Sequence, residues 1–347
     1  MTIEEGSVAA PLPMRAEWSP GCGGRNARST RCGVRGAGCG VRGPGGWSRE
    51  TYVLLVLSDV AGVKVGHWTD AVARTGCTVV VLPPATVASG EVRGGAPATR
   101  EFELLHPDRR VSTVDAVVRS GGSAYGLAAA DGVMQWLEEQ SRGIATVGGV
   151  VPIVIGMCLY DLAVGDPLVR PGAHEGRIAA MNASEGGHDV GLVGAGTGAT
   201  VGKWGGRSTA LPGGLGTASV RVGDLVVSAL IAVNAFGFID DGTSTADIGA
   251  PRFDTPVESS FGNTTIGVIA TNAIADKRAC HLLAQSGHDG ISRALLPAHT
   301  EADGDALVAV ATGEVTVDLY HLRLLAKQVV ARAIRNVGGY PAATGRR

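Results

Sequence analysis

A hydroxyl nucleophile needs a group to take its proton and a donor to hold the oxyanion. Only a few places in the 347-residue chain gather such side chains. Gly121-Gly122-Ser123-Ala124-Tyr125 begins like a nucleophile elbow, but G-x-S-x-G needs glycine where Tyr125 stands, which leaves Ser123 a poor nucleophile. Gly194-Ala195-Gly196-Thr197-Gly198-Ala199 follows a short apolar run and partly matches the dinucleotide fingerprint, so a nucleotide-binding module is the rival reading. Glu301, Asp303 and Asp305 imitate the start of a calcium loop, yet Ala306 and Thr312 stand where that loop needs Gly and Glu. The eight His residues contain no HExxH, and the six Cys, at 22, 32, 39, 77, 158 and 280, show no CxxC spacing. No metal and no organic cofactor are expected, and the thiols are expected to be free, as in a reducing cytoplasm. One segment remains: Gly262-Asn263-Thr264-Thr265 sets a hydroxyl pair just ahead of an apolar run. By itself it is ordinary turn chemistry feeding a strand.

The elements that must position these groups alternate between strands and helices. Residues 77–82 form a β-branched run closed by Pro83-Pro84, and 225–233, 266–271 and 306–311 read as further core strands. Residues 123–139 fit a helix entered through a glycine-rich turn. Apolar or small residues at 279, 282, 283, 287, 290, 291 and 294 predict a second helix over 276–296, with Asp276 at its N-terminus. A last amphipathic helix covers 319–337, and the order as a whole indicates one α/β sandwich domain.

Composition narrows the function. Thirty Lys and Arg balance 32 Asp and Glu, so the basic excess that phosphate backbones require is absent and no nucleic-acid partner is expected. The uncharged run 143–160 carries four Gly and Pro152, which makes it strands and turns rather than a membrane span. A soluble, cytoplasmic protein with no membrane partner is expected. Residues 1–50 hold 11 Gly and 7 Arg and the tandem heptapeptides CGVRGAG and CGVRGPG, too little apolar surface to offset ordering, and read as a disordered or non-native leader.

Six motifs, in order and at fitting spacings, change the odds for Thr264: VGHWTD (65–70), VRGGAPATRE (92–101), SGGSAYGLAAADGV (120–133), AVNAFG (232–237), GNTTIGVIATN (262–272) and HTEADGDAL (299–307). Over roughly residues 58–340 the chain resembles the self-processing amide hydrolases, which include the L-aminopeptidase/D-esterases, the β-aminopeptidases and the nylon-oligomer hydrolases. That resemblance implies a four-layer α/β/β/α sandwich and a single hydrolase domain over 52–342. It also implies autocleavage at Asn263-Thr264 into chains 52–263 and 264–347, and assembly into homotetramers or larger.

The implied roles make chemical sense. An N-terminal α-amine has a pKa near about 7.7–8.0, so a processed Thr264 would carry nucleophile and base in one residue. By resemblance, Asp303 and Asp305 would orient its hydroxyl and balance its amine, Asn234 would donate to the oxyanion, and Tyr125 would donate to the same oxygen or line the cleft. The nylon branch carries a lysine in the loop after the central apolar segment; ungapped matching places Ala173 there, which weakens any claim to the same substrate. The Asn-Thr junction and the two Asp residues nevertheless resemble that branch more than the Gly-Ser aminopeptidase branch. A linear amide, peptide or ω-amino oligoamide, is the expected substrate. Thr217, in Gly216-Thr217-Ala218-Ser219, is the rival nucleophile because it too follows a glycine-rich turn.

Overall fold

Runs of β-branched residues fix the chain in extended pleats, and the computed structural model shows ten strands that carry the architecture. They are β1 (Lys64–Asp70), β2 (Thr75–Val81), β3 (Val87–Val92), β4 (Ala98–Arg100), β5 (Ala116–Ser120), β6 (Val154–Cys158), β7 (Gly214–Val222), β8 (Leu225–Asn234), β9 (Thr264–Ala273) and β10 (Ala306–Val315). The structure describes residues 56–186, 189–242 and 262–337, which lie within one unit spanning 48–347. The expected leader, residues 1–50, falls outside the described residues.

One sheet has the order β1-β2-β5-β6-β4 and the other β7-β8-β9-β10-β3. Each contains one parallel pair, β5 with β6 and β9 with β10, among antiparallel neighbours. Every residue of β2, β5, β6, β8 and β9 is buried, because both faces of each sheet are covered. Between the sheets, Val80, Val117 and Ile155 meet Leu230, Ile266, Val268 and Val308. The outer faces are closed by helices: α1 (Ala129–Glu139) and α2 (Ala173–Met181) cover the first sheet, and α3 (Lys277–Ala294) and α4 (Leu319–Arg335) cover the second. This is the expected four-layer α/β/β/α sandwich. Helix α3 starts where its cap requires, with the Asp276 carboxylate accepting from Ala279 N at 2.7 Å.

Two expectations need correction. The helix over 123–139 begins with a tight 3-10 segment, Ser123–Ala128, before α1. The Gly194–Ala199 cluster opens no dinucleotide unit: it forms a 3-10 turn, Gly194–Gly196, whose amides are already used. Gly194 N donates to Thr69 Oγ1, Ala195 N to Thr78 Oγ1 and Gly196 N to Val193 O, leaving none of the three for a pyrophosphate.

The glycine content has a packing use in the first helical layer. Gly132 of α1 lies so close to α2 that a Cβ there would come within 1.7 Å of Ala173 O. Gly132→Ala must therefore push the helices apart, and a loss of about 1–3 kcal/mol is expected, measured by urea unfolding.

Candidate active site

The register of the second sheet brings distant residues to one point. β8 runs antiparallel to β9 with Asn234 opposite Thr264. On the other side β10 runs parallel to β9, and an isolated parallel bridge joins Asn263 to Asp303. Thr264, the first residue of β9, is thus held between Asn234 and the Asp303-Gly304-Asp305 turn, and all four of Asn234, Thr264, Asp303 and Asp305 are buried.

The Asn263 carbonyl is the focus of this arrangement. Gly304 N donates to it at 2.8 Å, and the Thr264 hydroxyl donates to the same oxygen. Gly304 must be glycine, since a Cβ would sit 2.6 Å from Ala96 O and 3.0 Å from Thr264 Oγ1. A backbone N–H on a carbonyl oxygen can stabilise charge developing on that oxygen.

Asn234 has a different partner from the one expected of an oxyanion donor. Its Nδ2 donates to Tyr160 O at 2.9 Å and to Gly262 O at 3.2 Å, one residue before Asn263. Its Oδ1 accepts from Thr200 N and from Lys203 Nζ, both at 2.9 Å. The two acids are held differently. Asp303 accepts from Phe236 N at 3.1 Å and from the Thr300 amide and hydroxyl, whereas Asp305 accepts from Thr265 N at 2.6 Å and from His299. Burial raises the Asp303 carboxyl above its usual range, and the Asp305 charge adds to the rise.

Lys203 was not among the expected site residues. Its ammonium is buried on Asn234 O (3.0 Å), Asn234 Oδ1 and, at 3.4 Å, Gly262 O. Burial lowers its pKa from 10.5 to about 7, against the Asp303 charge, which raises it, while Arg207 lowers it further. The sequence did carry a signal, a lone charge closing the uncharged stretch 190–202. Ala173, by contrast, lies at the start of α2 in the outer helical layer.

Two other candidates stay apart. Tyr125 is 62% exposed, its ring lies under the Arg170 guanidinium at 3.9 Å, and it makes no hydrogen bond to Asn234 or Thr264. Tyr160 instead packs beside the site, against Gly262. Thr217 sits within β7 with its hydroxyl on Ala229 O at 2.9 Å, in the sheet ladder rather than at a turn. Among the described residues no three His, Cys, Asp or Glu side chains cluster to hold a metal ion, and no helix is long and apolar enough to cross a membrane.

The family model of peptidase family S58 matches residues 56–338. The chain belongs to peptidase family S58. Among its S58 relatives, an uncharacterised aminopeptidase of Mycobacterium leprae (strain TN) is 44% identical, the match covering 75% of this chain and 79% of that one. A 6-aminohexanoate-oligomer endohydrolase of Kocuria sp. (strain KY2) is 31% identical over 74% of this chain and 75% of its own. The fold is shared with a β-aminopeptidase of Burkholderia sp., at TM-score 0.63 and 22% identity, covering 84% of this chain and 88% of that one. It is likewise shared with an L-aminopeptidase D-Ala-esterase/amidase of Ochrobactrum anthropi described as a variant of the Ntn-hydrolase fold, at TM-score 0.62 and 21% identity, covering 83% and 88%. This S58 chain is accordingly an amide hydrolase.

The depressed Lys203 pKa has a stability consequence whose sign follows from proton counting. Between about pH 7 and 10.5 the folded state binds fewer protons at this site than the unfolded chain, so the Lys203 contribution to stability rises with pH across that window. Urea unfolding of wild type and Lys203→Met at several pH values is expected to show wild type gaining on the variant as pH climbs from 7 towards 10. A pH-independent difference would mean that Lys203 keeps its ordinary pKa.

Proposed function

We propose that this S58 chain is an autoprocessing N-terminal-threonine hydrolase that cleaves linear amides through an acyl-enzyme on Thr264. The observation that carries the reading is the hydrogen bond of the Thr264 hydroxyl to the carbonyl of the preceding residue, which Gly304 N–H also holds. Attack of Thr264 Oγ on the Asn263 carbonyl carbon forms an ester and breaks the C–N bond, with the hydroxyl proton passing to the departing nitrogen of Thr264 itself. Water then hydrolyses the ester. The products are chains ending at Asn263 and beginning at Thr264, and the new α-amine, with a pKa near about 7.7–8.0, serves as base in later turnovers.

Processing also frees donors. Departure of the Gly262-Asn263 end releases Asn234 Nδ2 and Lys203 Nζ from Gly262 O, and both then face the place where a substrate carbonyl enters. The 6-aminohexanoate-oligomer endohydrolase relative and the Asn-Thr junction support an oligoamide or peptide amide as substrate. An aminopeptidase is the second reading, favoured by the name of the 44% identical relative. Amides with free and blocked amino ends separate the two, because only an endo-acting enzyme cuts the blocked ones. The reading includes assembly of the two-chain protein into homotetramers or larger.

Intact-mass analysis of purified protein is expected to show a small chain of residues 264–347, roughly 8.5 kDa by its share of 35.2 kDa. Its N-terminal sequence should be TTIGVIATN, and Thr264→Ala should remain one inactive chain. A start at TASVRVGDL would move the nucleophile to Thr217, and an uncut wild-type chain after long incubation would end the mechanism. In processed enzyme, Asn234→Ala is expected to lower kcat by about 10²-fold or more with KM little changed, as for loss of one oxyanion donor. Unchanged kcat in steady-state kinetics would make Asn234 structural only.

A further inference from the structure

His299 stands behind the acid pair. It occupies a left-handed backbone position, φ +56°, which is uncommon for a non-glycine residue. Both ring nitrogens are engaged: Nδ1 lies 2.8 Å from Asp305 Oδ2, and Nε2 lies 3.2 Å from the backbone carbonyl of His288 in α3. A carbonyl can only accept, so Nε2 must carry a hydrogen. Asp305 also accepts from Thr265 N and from His299 N at 3.2 Å. A carboxyl group on Nδ1 and a carbonyl on Nε2 are the partners that favour a hydrogen on each nitrogen, the imidazolium form, beside the first peptide nitrogen after Thr264.

The other charged and titratable neighbours do not replace this cation. His288, stacked edge-on against His299 at 4.9 Å, donates through Nε2 to Glu91 O, and burial lowers its pKa to about 4, which leaves it neutral. Arg93, at the end of β3, is paired with Glu91 at 2.9 Å and with Asp289 at 3.5 Å. Its charge opposes protonation of His299. Burial opposes it more strongly, yet the hydrogen bond and charge of Asp305, with the His288 carbonyl, more than offset both and raise the His299 pKa. Asp303 faces the pair from the near side, itself raised by burial and by the Asp305 charge, and Lys203 answers Asp303.

We propose that His299 is a positioning residue which, as an imidazolium, compensates the Asp305 carboxylate behind Thr264 and so sets the pH at which the Thr264 amine becomes a free base. The inference rests on the reading of Thr264 as the N-terminal nucleophile. Without the imidazolium, Asp305 presents uncompensated negative charge to that amine, its protonated form is stabilised, and a higher pH is needed to free it. His299 touches neither substrate nor Thr264 and acts only through Asp305.

The test compares the pH profile of kcat for wild type, His299→Asn and His299→Ala on a short amide, with the self-cleaved fraction measured by intact mass. Asparagine keeps a donor for Asp305 without the charge. The acid limb of kcat is expected to move to higher pH by on the order of one unit in both variants, with activity recovering at alkaline pH. KM should change little. A uniform fall in kcat with the limb unmoved, or a limb that stays put in His299→Asn and shifts only in His299→Ala, would overturn the role assigned to charge. If wild type neither cuts itself nor turns over the amide, the Thr264 reading fails instead, and that failure is distinguishable because it shows without any variant.

Discussion

The bond from Gly304 N–H to the Asn263 carbonyl is the constraint on which the site depends. It exists because β9 and β10 run parallel and begin level with each other, so that the turn before one strand lies beside the residue before the other. Parallel pairing needs a long crossover, and here α3 supplies it on the outer face of the sheet. The same crossover carries His288 and sets it against His299. The helical layer therefore closes a core and also furnishes the backbone carbonyl that fixes one edge of the imidazole ring.

Around that bond, charges are placed in low-dielectric surroundings where each shifts its neighbours. Two carboxylates, Asp303 and Asp305, are almost wholly buried, and two cationic groups, Lys203 and His299, approach them from different elements. Lys203 rests on carbonyl oxygens alone, so its charge is solvated by dipoles, and burial brings its pKa down to about 7. His299 meets a carboxylate directly and is shifted the other way. The contrast illustrates how the partner, more than burial itself, decides whether a buried base keeps its proton.

The uncleaved chain also explains why Asn234 and Lys203 converge on Gly262 O instead of standing idle. Unpaired buried donors cost free energy, and the chain before Thr264 supplies the acceptor. In the proposed cycle a substrate carbonyl takes over that duty. Tyr160, through its backbone oxygen and its packing on Gly262, forms the wall on this side, while Tyr125 stays at the surface under Arg170.

Sequence alone determined what depends on local pattern. The apolar runs at 77–82, 225–233, 266–271 and 306–311 are strands because continuous β-branched stretches suit sheets covered on both faces, and the 276–296 periodicity is a helix with Asp276 as its cap. The six ordered motifs carried the family resemblance. Tertiary structure decided what depends on register and on chain crossings. Lys203 was marked in the sequence only as a lone charge closing an uncharged, glycine-rich stretch, and only the fold turns that stretch onto Asn234. His299 lay inside a quoted motif, but one histidine in a loop says nothing until a helix carbonyl and a carboxylate are placed on its two nitrogens. Ala173 and Tyr125 show the converse limit: position along the chain gives no direction in space, and only the fold sets Ala173 against Gly132 of α1 and the Tyr125 ring under Arg170.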